Sequence, residues 1–87
     1  MKGGKKMRVL LEYYPADGSW HFNCWTGTNW QNEPNTHGYH TVADTDWDTA
    51  NRFCDMVDIL IGDKVIPNIA RVKIAWNLFI NKEDTEK

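Results

Sequence analysis

Three histidines and two cysteines raise the first chemical question, because four of these residues fall in pairs with metal-ligand spacing. Two residues intervene between His21 and Cys24, and two between His37 and His40, and twelve residues separate the pairs. Zinc takes four such ligands, often from two short-spaced pairs joined by a turn. Strand parity works against it. Residues 21 and 24 would leave opposite faces of an extended segment unless a bulge intervened. No glycine lies between them to make a knuckle. A zinc-stabilised domain on His21, Cys24, His37 and His40 is kept as an alternative; the leading expectation is no metal and no cofactor.

Cys24 or Cys54 beside a histidine would form a thiolate–imidazolium pair. Both fall on expected apolar faces, where a thiol packs rather than reacts. No phosphate-cradling glycine loop, nucleophile elbow or dinucleotide fingerprint accompanies them. Between residues 44 and 63 stand six aspartates against one arginine, Arg52. Asp44-x-Asp46-x-Asp48 alternates as a calcium loop does, but it lacks the turn glycine and runs into a helix start. Asp48, Asn51, Asp55 and Asp58 recur at helical spacing. They form a charged face that is either simply solvated or attractive to a basic partner.

The remaining chemistry is aromatic. The chain holds five tryptophans, and Trp25 and Trp30 bracket the start of a polar stretch that continues through Gln31, Asn32, Glu33 and Pro34 to His37. Indoles beside amides can anchor a protein interface or stack on a sugar whose hydroxyls the amides bond. A third reading has Trp30 folding back to plug the end of a small core. Stacking on single-stranded nucleic acid needs neighbouring cations, and residues 25–40 supply none besides histidine.

The elements that must carry these groups follow from periodicity. Met7 to Tyr14 alternates, with Leu10 as the exception; Pro15-Ala16-Asp17-Gly18 reads as a hairpin turn; and Ser19 to Thr26 alternates again. Residues 27–37 read as a loop and 38–43 as a short third strand. Thr45 is expected to cap a helix with Asp48 reaching back. Trp47, Ala50, Cys54, Val57 and Ile61 form its apolar stripe, and Gly62 ends it. Asp63-Lys64 turns the chain. From Ile69 to Asn81, apolar residues at 70, 72, 74, 76, 78 and 80 oppose Arg71, Lys73 and Asn77, which reads as a fourth strand. The expected fold class is α+β, a mainly antiparallel sheet of three to four strands (β-β-β-α-β) with one helix on one face. The other face is expected to lie open, showing Arg8, Glu12, His21, Asn23, Trp25, Arg71, Lys73 and Asn77.

Size and composition set the frame. Eighty-seven residues at 41% hydrophobic and 25% charged fit one domain with flexible ends at 1–6 and 82–87. A net charge of −2 with no concentrated basic field argues against direct nucleic-acid binding. No apolar run has signal-peptide or membrane-spanning length, so no membrane association and a cytoplasmic location are expected. These features together lead to a small non-enzymatic binding protein acting on a protein partner, such as an inhibitor or accessory protein of phage or mobile-element type. The partner is expected to be basic, in the manner of a nucleic-acid-binding protein. A small-ligand or carbohydrate-binding module is the alternative. Candidate contact residues are Trp25, Asn29, Trp30, Gln31, Asp48, Asp55, Asp58, Arg71 and Lys73. If the fourth strand lies at an edge, the pattern also allows a homodimer through strand pairing, which Arg71 and Lys73 would blunt.

Overall fold

In the computed structural model, which describes residues 7–62 and 66–85, the chain runs β1 (Arg8–Tyr14), β2 (Ser19–Cys24), β3 (His40–Asp46), α1 (Trp47–Ile61) and α2 (Ile69–Thr85). The basic segment 1–6 and the turn at Asp63-Lys64 lie outside the described residues. The strands form an antiparallel sheet in the order β2-β1-β3, so the fold is α+β.

The β1–β2 hairpin forms where Asp-Gly marks it. Tyr14 pairs with Ser19, and the Gly18 amide donates to the Tyr14 carbonyl at 2.8 Å with a φ of 80° that suits glycine. Asp17 steadies the exit by accepting a bond from the Ser19 amide at 3.0 Å. Val9, Leu11 and Tyr13 face the core, joined there by Trp20 and Phe22 from β2. β3 starts later than its sequence pattern implies, at His40, and runs to Asp46. It pairs with β1 through a register shift between Leu11 and Glu12. Thr45 is therefore a strand residue rather than a cap. Asp46 caps α1 instead, accepting from the Thr49 amide at 2.8 Å and from its hydroxyl at 2.9 Å.

Of its expected stripe α1 buries Ala50 and Val57 and half-buries Cys54 and Ile61, while Trp47 is exposed and Phe53 takes the central inward position. The segment expected as a fourth strand is a second helix, α2. Its buried residues Val72, Ala75 and Phe79, with Trp76 and Ile80 half-buried beside them, repeat at three, four, seven and eight. In a strand Val72 and Ile74 would share a face; here Val72 is buried and Ile74 is 60% exposed. Asn68, just after Pro67, caps the helix by accepting from the Arg71 amide at 2.9 Å. Arg71, Lys73 and Asn77 thus stand on a helix and not on the sheet. The expected flexible end from 82 is helical as far as Thr85.

Phe53 is the hub of the helix–sheet layer, meeting Trp20 edge-on at 5.7 Å, Trp76 at 5.1 Å and Phe79 at 5.4 Å. Tyr13 ties the α2 entry to the sheet by donating to the Pro67 carbonyl at 2.8 Å. β1 is buried over five consecutive residues, Val9 to Tyr13, although alternation would put only every second one inside. Leu10 and Glu12 point away from the helices, so something else covers them.

Candidate functional site

The cover is the segment between β2 and β3. β2 continues through Trp25 into a tight turn: Trp25 and Trp30 pair as an antiparallel bridge, the Thr26 amide donates to the Asn29 carbonyl at 2.8 Å, and the Gln31 amide donates to the Cys24 carbonyl at 2.9 Å. The Thr26 hydroxyl accepts from the Asn29 amide at 3.1 Å, fixing the turn from inside. The chain then crosses the second face of the sheet, held by side-chain amides. Asn23, fully buried, donates to the Asn32 carbonyl at 2.8 Å and accepts from the Asn32 amide at 3.0 Å, so it acts as a strand edge would. Glu12, 2% exposed, accepts from His21 Nδ1 at 3.0 Å and from the Asn35 amide at 3.2 Å. Asn35, in the left-handed region at φ 61°, returns a bond by accepting from the Thr41 amide and hydroxyl, each at 2.8 Å. Gly38, at φ 86°, lets the loop pass Tyr14: a Cβ there would sit 2.6 Å from the Tyr14 ring. The face expected to lie open is therefore covered, because the loop's backbone finds its partners in polar side chains that a strand pattern reads as solvent-facing.

At one end of this cover Arg8, Trp25, Trp30 and Asp44 form a cluster. The indoles meet at 5.0 Å and 68°, and the Arg8 guanidinium lies 5.2 Å from one ring centre and 5.0 Å from the other. The same guanidinium binds both Asp44 oxygens, Nε to Oδ1 at 3.0 Å and Nη2 to Oδ2 at 2.6 Å. That pair of bonds holds the Asp44 carboxyl below its ordinary value and raises Arg8 above its own. Beside the cluster opens a groove of about 450 Å³ lined by Trp25, Thr28, Asn29, Trp30, Asn32, Glu33 and Pro34. A smaller hollow of about 220 Å³ adjoins it through Asn32 and Glu33 and reaches Glu12, His21 and Tyr39.

Of the candidate residues, the structure brings together Trp25, Asn29 and Trp30. Gln31 is exposed next to them but does not line the groove. Asp48 and Asp55 are exposed on α1, and Arg71 and Lys73 are exposed on α2, on the far side of the sheet from the loop. Asp58 lies in α1, with its side chain outside what is described. Thr28, Asn32, Glu33, Pro34 and the Arg8–Asp44 pair were not singled out from the sequence; the exception of Leu10 to the β1 alternation was the available sign of a covered second face.

The zinc alternative loses its geometry. His21 is engaged with Glu12 on the loop side, whereas Cys24 packs against the core cluster on the helix side. His37 lines the small hollow, and His40 is an exposed residue at the start of β3. Among the described residues no group of three or more His, Cys, Asp or Glu side chains could hold a metal ion. Both cysteines are free. Burial, with a smaller push from Asp55, raises the Cys54 thiol to about 12, so it stays protonated at neutral pH. Among the described residues no helix is long and apolar enough to cross a membrane. Comparison with protein-family models, with curated proteins and with solved structures finds no match.

Proposed function

We propose that the chain is a non-enzymatic binding protein, an inhibitor or accessory subunit in type, that takes a protein partner on the Trp25–Pro34 groove. One observation carries this reading. Two half-exposed indoles are fixed beside a groove by a network that ends on the fully buried Asn23. Rigid aromatic anchors bind at low entropic cost, because the ordering of the loop precedes the encounter. The groove also has a definite charge. Glu33 is the charged group in its lining, and the nearby Arg8 is engaged by Asp44. The partner segment that suits it presents an apolar side chain to Trp25 and Trp30 and a basic one to Glu33.

A sugar is the weaker fit, although Thr28, Asn29 and Asn32 supply hydroxyl and amide groups beside the indoles. Stacking on a pyranose ring needs an open indole face, and the Arg8 guanidinium already takes one face of each ring.

The test uses a photoreactive residue in place of Asn29 and, as a control, in place of Lys82 at the far helix. Crosslinking in an extract of the source cells is expected to recover one protein from the Asn29 position alone, and Trp30→Ala is expected to abolish it. Equal capture from both positions, or capture indifferent to Trp30→Ala, would refute the reading. Saturable quenching of tryptophan fluorescence by neutral sugars would replace it with the carbohydrate alternative.

A further inference from the structure

Glu12 does more than anchor the loop. It is 2% exposed, and its carboxylate accepts from His21 Nδ1 at 3.0 Å and from the Asn35 amide at 3.2 Å. A carboxylate offers about four lone-pair sites, so half of its accepting capacity is open. Among the described residues no lysine or arginine pairs with it. Arg8 is engaged by Asp44, while Arg52, Arg71, Lys73 and Lys82 stand on the helices, which pack against the opposite face of the sheet. His21 balances its charge only with both ring nitrogens protonated, and the Asn32 Nδ2 donor 3.4 Å from His21 Nε2 suits the neutral ring. Buried carboxylates are ordinarily paired with a cation.

The hollow of about 220 Å³ opens beside this group, with Glu12, His21, Glu33 and Tyr39 in its lining. Glu33 is exposed, and the bond it accepts from the Thr36 hydroxyl goes to its backbone carbonyl. Among the described residues no ion pair engages its carboxylate. Tyr39 and His21 make an aromatic wall, with ring centres 5.7 Å apart, and Tyr14 backs Tyr39 at 5.2 Å. Two carboxylates and an aromatic face favour a flat cation with several N–H donors. A guanidinium has that form, stacking on rings and donating to carboxylates through a fork, whereas an ammonium is a compact, strongly hydrated point charge. The volume is below the about 300–1,000 Å³ of pockets for whole small molecules, so the hollow suits a side chain.

We propose that this hollow is the subsite for an arginine side chain of the partner, an assignment that rests on the Trp25–Pro34 groove being a protein-binding site. Asn32 and Glu33 line both hollows, so one partner segment serves both. Its apolar residue lies on Trp25 and Trp30. Its guanidinium donates to Glu33 and to the open acceptor sites of Glu12, with its plane against Tyr39.

The probe is N-acetyl-arginine amide, titrated to about 50 mM while backbone amide shifts are followed by NMR. Saturable shifts are expected at Glu12, His21, Glu33 and Tyr39, with a dissociation constant on the order of 1–10 mM. The citrulline analogue, a neutral urea of the same shape, should bind at least about tenfold more weakly, and the lysine analogue at least about threefold. Glu33→Gln, an exposed change whose own amide spectrum reports its fold, should weaken the arginine probe by about threefold or more. Trp30→Ala should leave it unaltered, because that indole lines the larger groove and not the hollow. The probe, and not its citrulline analogue, should also compete with crosslinking from position 29. Absence of saturation, equal binding of the citrulline or lysine analogue, shifts as large at Asp48 and Asp55 as at Glu33, or indifference to Glu33→Gln would each overturn the assignment. Binding without competition would overturn it too, by making the ligand a free guanidinium compound instead of the partner's arginine. Capture from position 29 with no probe binding sinks the subsite and leaves the groove reading standing; saturable probe binding with no capture does the reverse.

Discussion

Asn23 is the residue whose loss should separate the loop from the body of the protein. Its side chain is fully buried and makes a reciprocal pair with the Asn32 backbone, at 2.8 and 3.0 Å. Asn23→Ala removes both bonds. At about 1 kcal/mol for each bond, and with Asn32 itself exposed so that water can reach its freed groups, the cost is about 2–3 kcal/mol. A chain of this size has roughly 4–13 kcal/mol in all, so the fold survives. The loss should appear first as local opening. Hydrogen exchange at the Asn32 and Asn35 amides should accelerate while the Val9 to Tyr13 amides stay slow. Asn23→Asp sharpens the test. At neutral pH the new carboxylate still accepts from the Asn32 amide, but its second oxygen opposes the Asn32 carbonyl, and a buried anion is left without a cation. The folded-state pKa of that acid is raised above its unfolded value, so its penalty applies at high pH and fades as pH falls and the carboxyl becomes an O–H donor. Urea titrations at about pH 7 and pH 4.5 should show Asn23→Asp gaining on Asn23→Ala as the medium is acidified. If Asn23→Ala costs under about 0.5 kcal/mol and leaves the Asn32 amide protected, the amide pair does not hold the loop and the argument fails.

Three other outcomes follow from separate parts of the structure. Val72→Ala should cost about 1–3 kcal/mol in urea unfolding, while Ile74→Ala stays within about 0.5 kcal/mol; equal losses would restore the strand reading of 69–81. Gly38→Ala meets both a left-handed φ of 86° and the Tyr14 ring 2.6 Å from the new Cβ, and it should lower stability by about 1–3 kcal/mol in a thermal melt. Asp44 titrates below its ordinary 3.8 because Arg8 bonds its charged form. A depressed folded pKa means that this contribution is present above 3.8 and lost as pH falls through the lowered value, so the carboxyl carbon shift of Asp44 should move at lower pH in the wild type than in Arg8→Gln.

Much of the fold is legible where local signals agree. Asp17-Gly18 between alternating runs gives the hairpin, and the stripe through Ala50, Cys54 and Val57 gives α1. The segment 69–81 misleads because its apolar residues satisfy both periods: 70, 72, 74, 76, 78 and 80 alternate, while 72, 75, 76, 79 and 80 wind round a helix. Length and capping arbitrate. Thirteen residues is long for a strand, and Asn68 after Pro67 is a helix start. At the site, the indoles and Asn29 announce themselves by composition. The way they are held does not. Asn23 bonds a residue nine positions away, and Glu12 one that is twenty-three away, and no periodicity encodes such pairs. Both look like solvent-facing strand positions until the loop is laid over them.

The two faces of β1 therefore differ in how they respond to a ligand. On the helix side the contacts are aromatic and aliphatic packing around Phe53, which is lost only with the whole fold. On the loop side they are discrete hydrogen bonds from Asn23, Glu12 and Asn35, which can open as a unit while the sheet persists. A partner in the Trp25–Pro34 groove contacts only the closed loop. It must therefore slow exchange at the Asn32 and Asn35 amides by the factor with which it favours that form. Exchange at two loop positions thus reports binding in the groove without disturbance of the core, because the sheet is held from each side by a different kind of force.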